Sequence, residues 1–117
     1  MPYQSILKTL LEGIDGAVGA GFVDNEGETV QLTGQFEDYA HRVHLAYQGI
    51  FLEKLKSIHR QHLGVPLSLV CVYENLTVVI KPLKSSYFLV LTLAHRKQLA
   101  KALQAAEEAA VHLNFDL

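Results

Sequence analysis

The strongest constraint on the fold is that the strand-like segments of this chain are apolar on both of their alternating faces. In the stretch 67–73, Leu67, Leu69, Cys71 and Tyr73 alternate with Val70 and Val72; in 86–93, Tyr87, Leu89 and Leu91 alternate with Phe88 and Val90. A strand that faces water on one side reads polar at every second residue. These segments therefore belong to a sheet covered by helices on both faces.

The rest of the chain supplies the remaining strands and the covering helices. Strands are predicted at 18–23 and 28–33, joined as a hairpin by the turn Asp24-Asn25-Glu26-Gly27, and at 76–81, after Glu74-Asn75. The loop Pro82-Leu83-Lys84-Ser85 precedes the last strand. Residues 3–14 place Tyr3, Leu7, Leu10 and Ile14 at helical spacing, with Ile6 and Leu11 widening the stripe, and Gly13 and Gly16 end the run. Residues 38–62 hold no Pro and one interior Gly, Gly49, and read as a long central helix ended by Gly64 and Pro66. A last helix over 96–113 carries an inward stripe rich in alanine, from Leu99 and Ala102 to Ala110 and Leu113, suited to close packing on a sheet. The order α-β-β-α-β-β-β-α makes an α+β chain, a three-layer α/β/α sandwich around a five-stranded, mostly antiparallel sheet. At 117 residues the chain holds a single core, so 1–117 is one domain.

The central helix carries more apolar surface than one sheet can use. Projected at about 100° per residue, Tyr39, Val43, Ala46, Tyr47, Ile50, Phe51 and Ile58 form the broader stripe. A second stripe runs through His41, Leu45, Gln48, Leu52, Leu55, His59 and His62, in the alternating steps of four and three of a coiled-coil seam. The second stripe predicts that this helix meets another helix, and a second copy of the chain is the commonest supplier.

Helix one, Gly16-Ala17-Val18-Gly19-Ala20 leading into Phe22-Val23-Asp24, the turn closed by Gly27, a long helix, three strands and a final helix together resemble the Roadblock (dynein light-chain) family over nearly the whole chain. The resemblance implies a non-enzymatic homo- or heterodimer, paired through the central helix and the third strand, that regulates or scaffolds a small Ras-like GTPase, in some members speeding GTP hydrolysis. The exposed platform such a dimer would offer is Arg42, Gln48, Glu53, Lys56 and Arg60. The resemblance carries no catalytic motif and implies no cofactor.

Other chemistries are weaker in this sequence. His41 with His44, and His59 with His62, have the i,i+3 spacing of helical metal ligands or of a pH-sensing cluster. Within one chain the pairs lie about 27 Å apart, so a shared ion would need an antiparallel helix pair. Polar residues at a seam more often set register, and no metal is expected. Gly16, Gly19 and Gly21 lack the following helix and Lys-Ser/Thr of a phosphate loop; Gly19 and Gly21 read instead as clearance for a packed helix. His95-Arg96-Lys97 opens the last helix with charge against its dipole; it reads as a solvated basic turn, with an anion or an acidic partner, aided by Lys81 and Lys84 nearby, as the alternative. Cys71 reads as a small mid-strand hydrophobe, and a single cysteine excludes an intrachain disulfide.

Ten Lys+Arg against twelve Asp+Glu give a net charge of −2, which excludes a polyanion-binding surface of the nucleic-acid kind. No apolar run approaches the roughly 20 residues of a membrane span, and the start MPYQSILK lacks a leader pattern, so a cytoplasmic location is expected. The alternative class is a small-ligand sensor, since antiparallel α/β/α sandwiches also enclose pockets.

Overall fold

The computed structural model describes residues 3–24, 26, 29–34, 54, 63–64, 66–115 and 117. The described elements are α1 (Tyr3–Glu12), β1 (Ala17–Val23), β2 (Thr29–Gly34), β3 (Leu69–Val72), β4 (Thr77–Pro82), β5 (Phe88–Leu93) and α2 (Leu99–Asn114). The five strands form one sheet in the order β2-β1-β5-β4-β3, and every neighbouring pair is antiparallel. The α+β class and the antiparallel sheet are as the element order predicts. Of the predicted helix over 38–62, only Lys54 lies among the described residues, where it is helical and exposed.

α1 and α2 cover the same face of the sheet. α1 turns its Leu7 and Leu10 inward, joined by Ile14 just beyond its end, as their spacing predicts. α2 buries Ala102, Ala106, Ala109, Ala110 and Leu113 against Val79, Leu89, Leu91 and Leu93. Alanine at the contact lets the helix backbone approach closely, while the leucines of β5 supply the volume. Burying each such leucine stabilises the fold by about 1.5–3 kcal/mol. Tyr3 at the start of α1 and Tyr87 before β5 flank Phe22, with ring centroids 4.8 and 5.6 Å from it.

The opposite face carries its own buried cluster of Val23, Val78, Ile80, Phe88 and Val90, which contains no residue of α1 or α2. β5 therefore divides as predicted, with Leu89 and Leu91 on one side and Phe88 and Val90 on the other. Gly19 and Gly21 share the face of Val23, opposite Ala20 and Phe22, so neither α1 nor α2 is the helix they would clear. Gly19 instead sits at an irregularity in the β1–β5 ladder, where the register shifts between Ala17 and Gly19. There the buried Thr92 hydroxyl donates to the Gly19 carbonyl at 3.2 Å. A bulge of this kind adds twist to the strand it interrupts.

Three local expectations are corrected. Strand β3 is shorter than 67–73, and Leu67 beyond its start is exposed. Pro82 ends β4, and the chain reverses through Lys84–Ser86, where Ser85 and Ser86 have φ of 60° and 62°. The Tyr87 N–H donates to the Lys84 carbonyl and the Leu83 N–H to the Tyr87 carbonyl, which closes the β4–β5 hairpin with a left-handed turn. Finally α2 begins at Leu99, so His95-Arg96-Lys97 precede the helix rather than opening it. The Lys97 N–H donates to His95 Nδ1 at 3.3 Å and the Leu99 N–H to the Arg96 carbonyl at 3.1 Å, a tight turn that delays the helix.

Candidate functional site

The predicted dimer seam of His41, Leu45, Gln48, Leu52, Leu55, His59 and His62 lies outside the described residues. So do the predicted platform residues Arg42, Glu53, Lys56 and Arg60, together with Asn25 and Gly27 of the first turn. In that turn the Glu26 N–H donates to Asp24 Oδ1 at 2.9 Å, the self-capping expected of an aspartate that reverses the chain.

The third strand, the other half of the predicted interface, is described. Among the described residues β3 pairs only with β4, in the register Leu69 with Ile80 through Val72 with Thr77. Leu69 and Cys71 pack on the second face of the sheet and Val70 on the first. Toward the end of the strand Val72 is 52% exposed and Tyr73 47% exposed, both unusually open for large apolar side chains. The strand is closed by the turn Glu74-Asn75, where the Tyr73 N–H donates to the Leu76 carbonyl at 2.8 Å. Burial pushes the Cys71 thiol above its ordinary value, consistent with a small hydrophobe rather than a nucleophile.

Lys81 is not part of a basic loop. It lies in β4 with its side chain 9% exposed, and its Nζ reaches Glu107 Oε2 of α2 at 2.6 Å. Lys81 is therefore committed to Glu107 rather than to an anion beside His95-Arg96-Lys97. The backbone N–H of Lys84 donates to Asn114 Oδ1 at 2.8 Å. Among the described residues no group of three or more His, Cys, Asp and Glu side chains is placed to hold a metal ion.

A feature that sequence reasoning missed is an open groove of about 610 Å3 between α1 and α2. Its floor is Ile6, Leu10, Ala105 and Ala109; Ser5, Thr9 and Gly13 form one wall and Lys101, Gln104, Glu108 and His112 the other. The signal available in the sequence was the flank of the alanine stripe, where Lys101, Glu108 and His112 recur on one side of the helix.

No protein-family model matches the chain, and no curated protein matches it by sequence. Solved structures do. Myxococcus xanthus MglB has a TM-score of 0.82 at 14% identity, over 96% of this chain and 91% of that one. A Roadblock/LC7 domain from Streptomyces avermitilis has a TM-score of 0.78 at 12% identity, over 93% and 92% of the two chains. Acanthamoeba castellanii profilin II is also similar, with a TM-score of 0.65 at 16% identity, over 97% and 98%. The sheet order, the antiparallel ladders and the paired terminal helices thus define an α+β domain of a known architecture. That architecture is the Roadblock/LC7 fold.

Proposed function

We propose that the chain is a non-enzymatic, cytoplasmic regulator or scaffold that acts as a homodimer and binds a small Ras-like GTPase. The observation that supports this reading is the Roadblock/LC7 fold over more than nine-tenths of both chains, joined to a third strand that ends the described sheet order and carries the exposed Val72 beside the exposed Tyr73. In this reading two copies pair through the seam that centres on Leu52, and their β3 edges extend one sheet into the next. Arg42, Glu53, Lys56 and Arg60, beside the seam, form a two-fold platform whose differential contacts bias the switch segments of the GTPase toward one nucleotide state. No helix among the described residues is long and apolar enough to cross a membrane.

The test is light scattering behind size-exclusion chromatography on the wild type, Leu52→Glu and Val72→Lys. A mass near twice 13.0 kDa that is lost in Leu52→Glu and weakened in Val72→Lys supports the dimer. Binding to purified Ras-like GTPases of the same organism, loaded with GDP or a GTP analogue, then reads the second half. Charge reversal at Arg42, Lys56 and Arg60 should abolish the nucleotide-dependent difference in binding. A monomeric wild type, or a dimer indifferent to every GTPase in both states, defeats the reading.

A further inference from the structure

Two features of α2 lie outside the interface just proposed, one at each end of the helix. At its start, Arg96 and Lys97 in the preceding turn and Lys101 within the helix are all exposed, so positive charge gathers where the helix dipole is already positive. The first turn holds no acidic residue to offset it. At the far end Val111 and Phe115, which continues the helix by one residue, are 66% and 85% exposed in the folded chain.

The residues between them form one ridge. Lys101, Gln104, Glu108, Val111 and Phe115 recur in alternating steps of three and four, all of them exposed, within about 80° of arc at 100° per residue. Ala102, Ala106, Ala109, Ala110 and Leu113 are buried on the other side of the helix, against the sheet. Along the ridge the order is basic, polar, acidic, apolar, apolar. Lys101, Gln104 and Glu108 also wall the groove beside α1, so the ridge and the groove belong to one surface.

That order is complementary to itself in one direction only. Laid parallel on its own copy, the ridge sets Lys101 on Lys101 and Glu108 on Glu108. Turned about a two-fold axis between Gln104 and Ala105, it sets Lys101 opposite the Glu108 of a second copy and Glu108 opposite its Lys101, because the two charges stand equally far from that axis, about 5 Å along the helix on either side. The same rotation carries the last turn of the second helix, the negative end of its dipole, to Arg96 and Lys97. It also lays the second Phe115 toward Ala94, which is itself exposed. One operation thus supplies a counterpart both for the basic turn and for the open phenylalanine, and being two-fold it closes. A partner of unlike sequence would need the same order of charges reversed; a second copy has it by symmetry.

We propose that two copies of the chain associate antiparallel through this ridge of α2, Lys101 of each facing Glu108 of the other, in a contact separate from the pairing through 38–62 and able to link such dimers into a larger assembly. Phe115 and Val111 supply the burial, while the exposed charges set direction more than affinity. A contact between two helices of 16 residues is small beside the roughly 1,200 Å2 of a standard interface, so the association depends on concentration. The test is sedimentation equilibrium of the full chain over a hundredfold range of concentration, where the mass of the wild type should rise. Lys101→Glu and Glu108→Lys, both surface changes, should each weaken that association at least fivefold, since each sets like charges against each other twice. An equimolar mixture of the two variants should regain it, because every Glu then faces a Lys. Phe115→Ser should weaken it at least tenfold. Leu52→Glu should keep this association while losing the one through 38–62, so the two contacts fail independently. A wild-type mass that does not change with concentration overturns the proposal, as do single charge variants that associate like the wild type or a mixture no stronger than its components. An association lost in Leu52→Glu and untouched by the charge variants belongs to 38–62 and overturns it too.

Discussion

The imidazole of His95 lies directly over Gly16: a Cβ added to that glycine would sit 2.5 Å from His95 Nε2. Gly16 has φ of +87°, and its carbonyl accepts from the Ala94 N–H at 2.7 Å, which ties the entry of β1 to the exit of β5. Glycine is thus required twice, by backbone conformation and by the ring above it. Gly16→Ala is expected to destabilise the fold by about 1–3 kcal/mol in urea denaturation. In the double variant with His95→Ala, the steric part is relieved and about 1 kcal/mol of conformational cost is left. A double-mutant cycle with no coupling between the two sites would rule out the contact.

Lys81 of β4 and Glu107 of α2 join sheet to helix, and the two partners are unequal. The lysine stem is enclosed while the glutamate is 66% exposed, so solvent screens the pair and its net worth is small. Removing the carboxylate leaves an ammonium held against an apolar face. Glu107→Gln should therefore cost about 1 kcal/mol, whereas Lys81→Met should fall within about 0.5 kcal/mol of the wild type. Equilibrium unfolding that places Lys81→Met well below Glu107→Gln reverses this account.

The turn at Lys84–Ser86 holds two serines in the left-handed region, where Asn and Gly are at home. Ser85→Asn with Ser86→Gly should raise stability by about 1 kcal/mol and leave the hairpin register unchanged. Thermal unfolding reads this as an increase in Tm of several degrees for a domain of this size.

Much of this was legible in the sequence, and the limits are physical. The two-sided apolar alternation of β5 fixed its place deep in the sheet, because only a covered strand can carry leucine and valine on both faces. The same alternation in β3 did not reveal its place at the end of the described sheet order, since a strand's own residues do not say which neighbours will pair with it. Lys81 falls within the predicted strand 76–81, but its burial was not legible, because the carboxylate that accompanies it is 26 residues away. The α1–α2 groove is built by the two ends of the chain, and no local pattern links Thr9 to Glu108. The predicted seam and platform on the 38–62 segment fall outside the described residues.

Cys71 gives a pH dependence of known sign. Its thiol is raised above the ordinary 9.0 by loss of hydration. The folded chain thus keeps the proton after the unfolded chain has released it, and below about pH 9 the group makes no difference to stability. Above that pH its contribution becomes increasingly unfavourable, and it levels off, still unfavourable, once the folded thiol also ionises. Alkylation by iodoacetamide at pH 8 should accordingly be slower for the native protein than for the urea-unfolded chain, and the rate should continue to climb past pH 9. A native rate equal to the unfolded one at pH 8 would show the thiol to be ordinary.

The central seam of the sheet has a kinetic consequence. β1–β2 is a hairpin and β3–β4–β5 a meander, each assembled from neighbours in the chain, but β1 meets β5 across a separation of 73 residues at Gly19 and Thr92. Closing so long a loop costs entropy before any contact repays it, so this ladder forms last during folding. Until it does, both halves display a raw strand edge of matching pattern. At high concentration the β5 edge of one molecule can capture the β1 edge of another, so refolding from denaturant in concentrated solution favours an exchanged, domain-swapped dimer over the closed monomer fold.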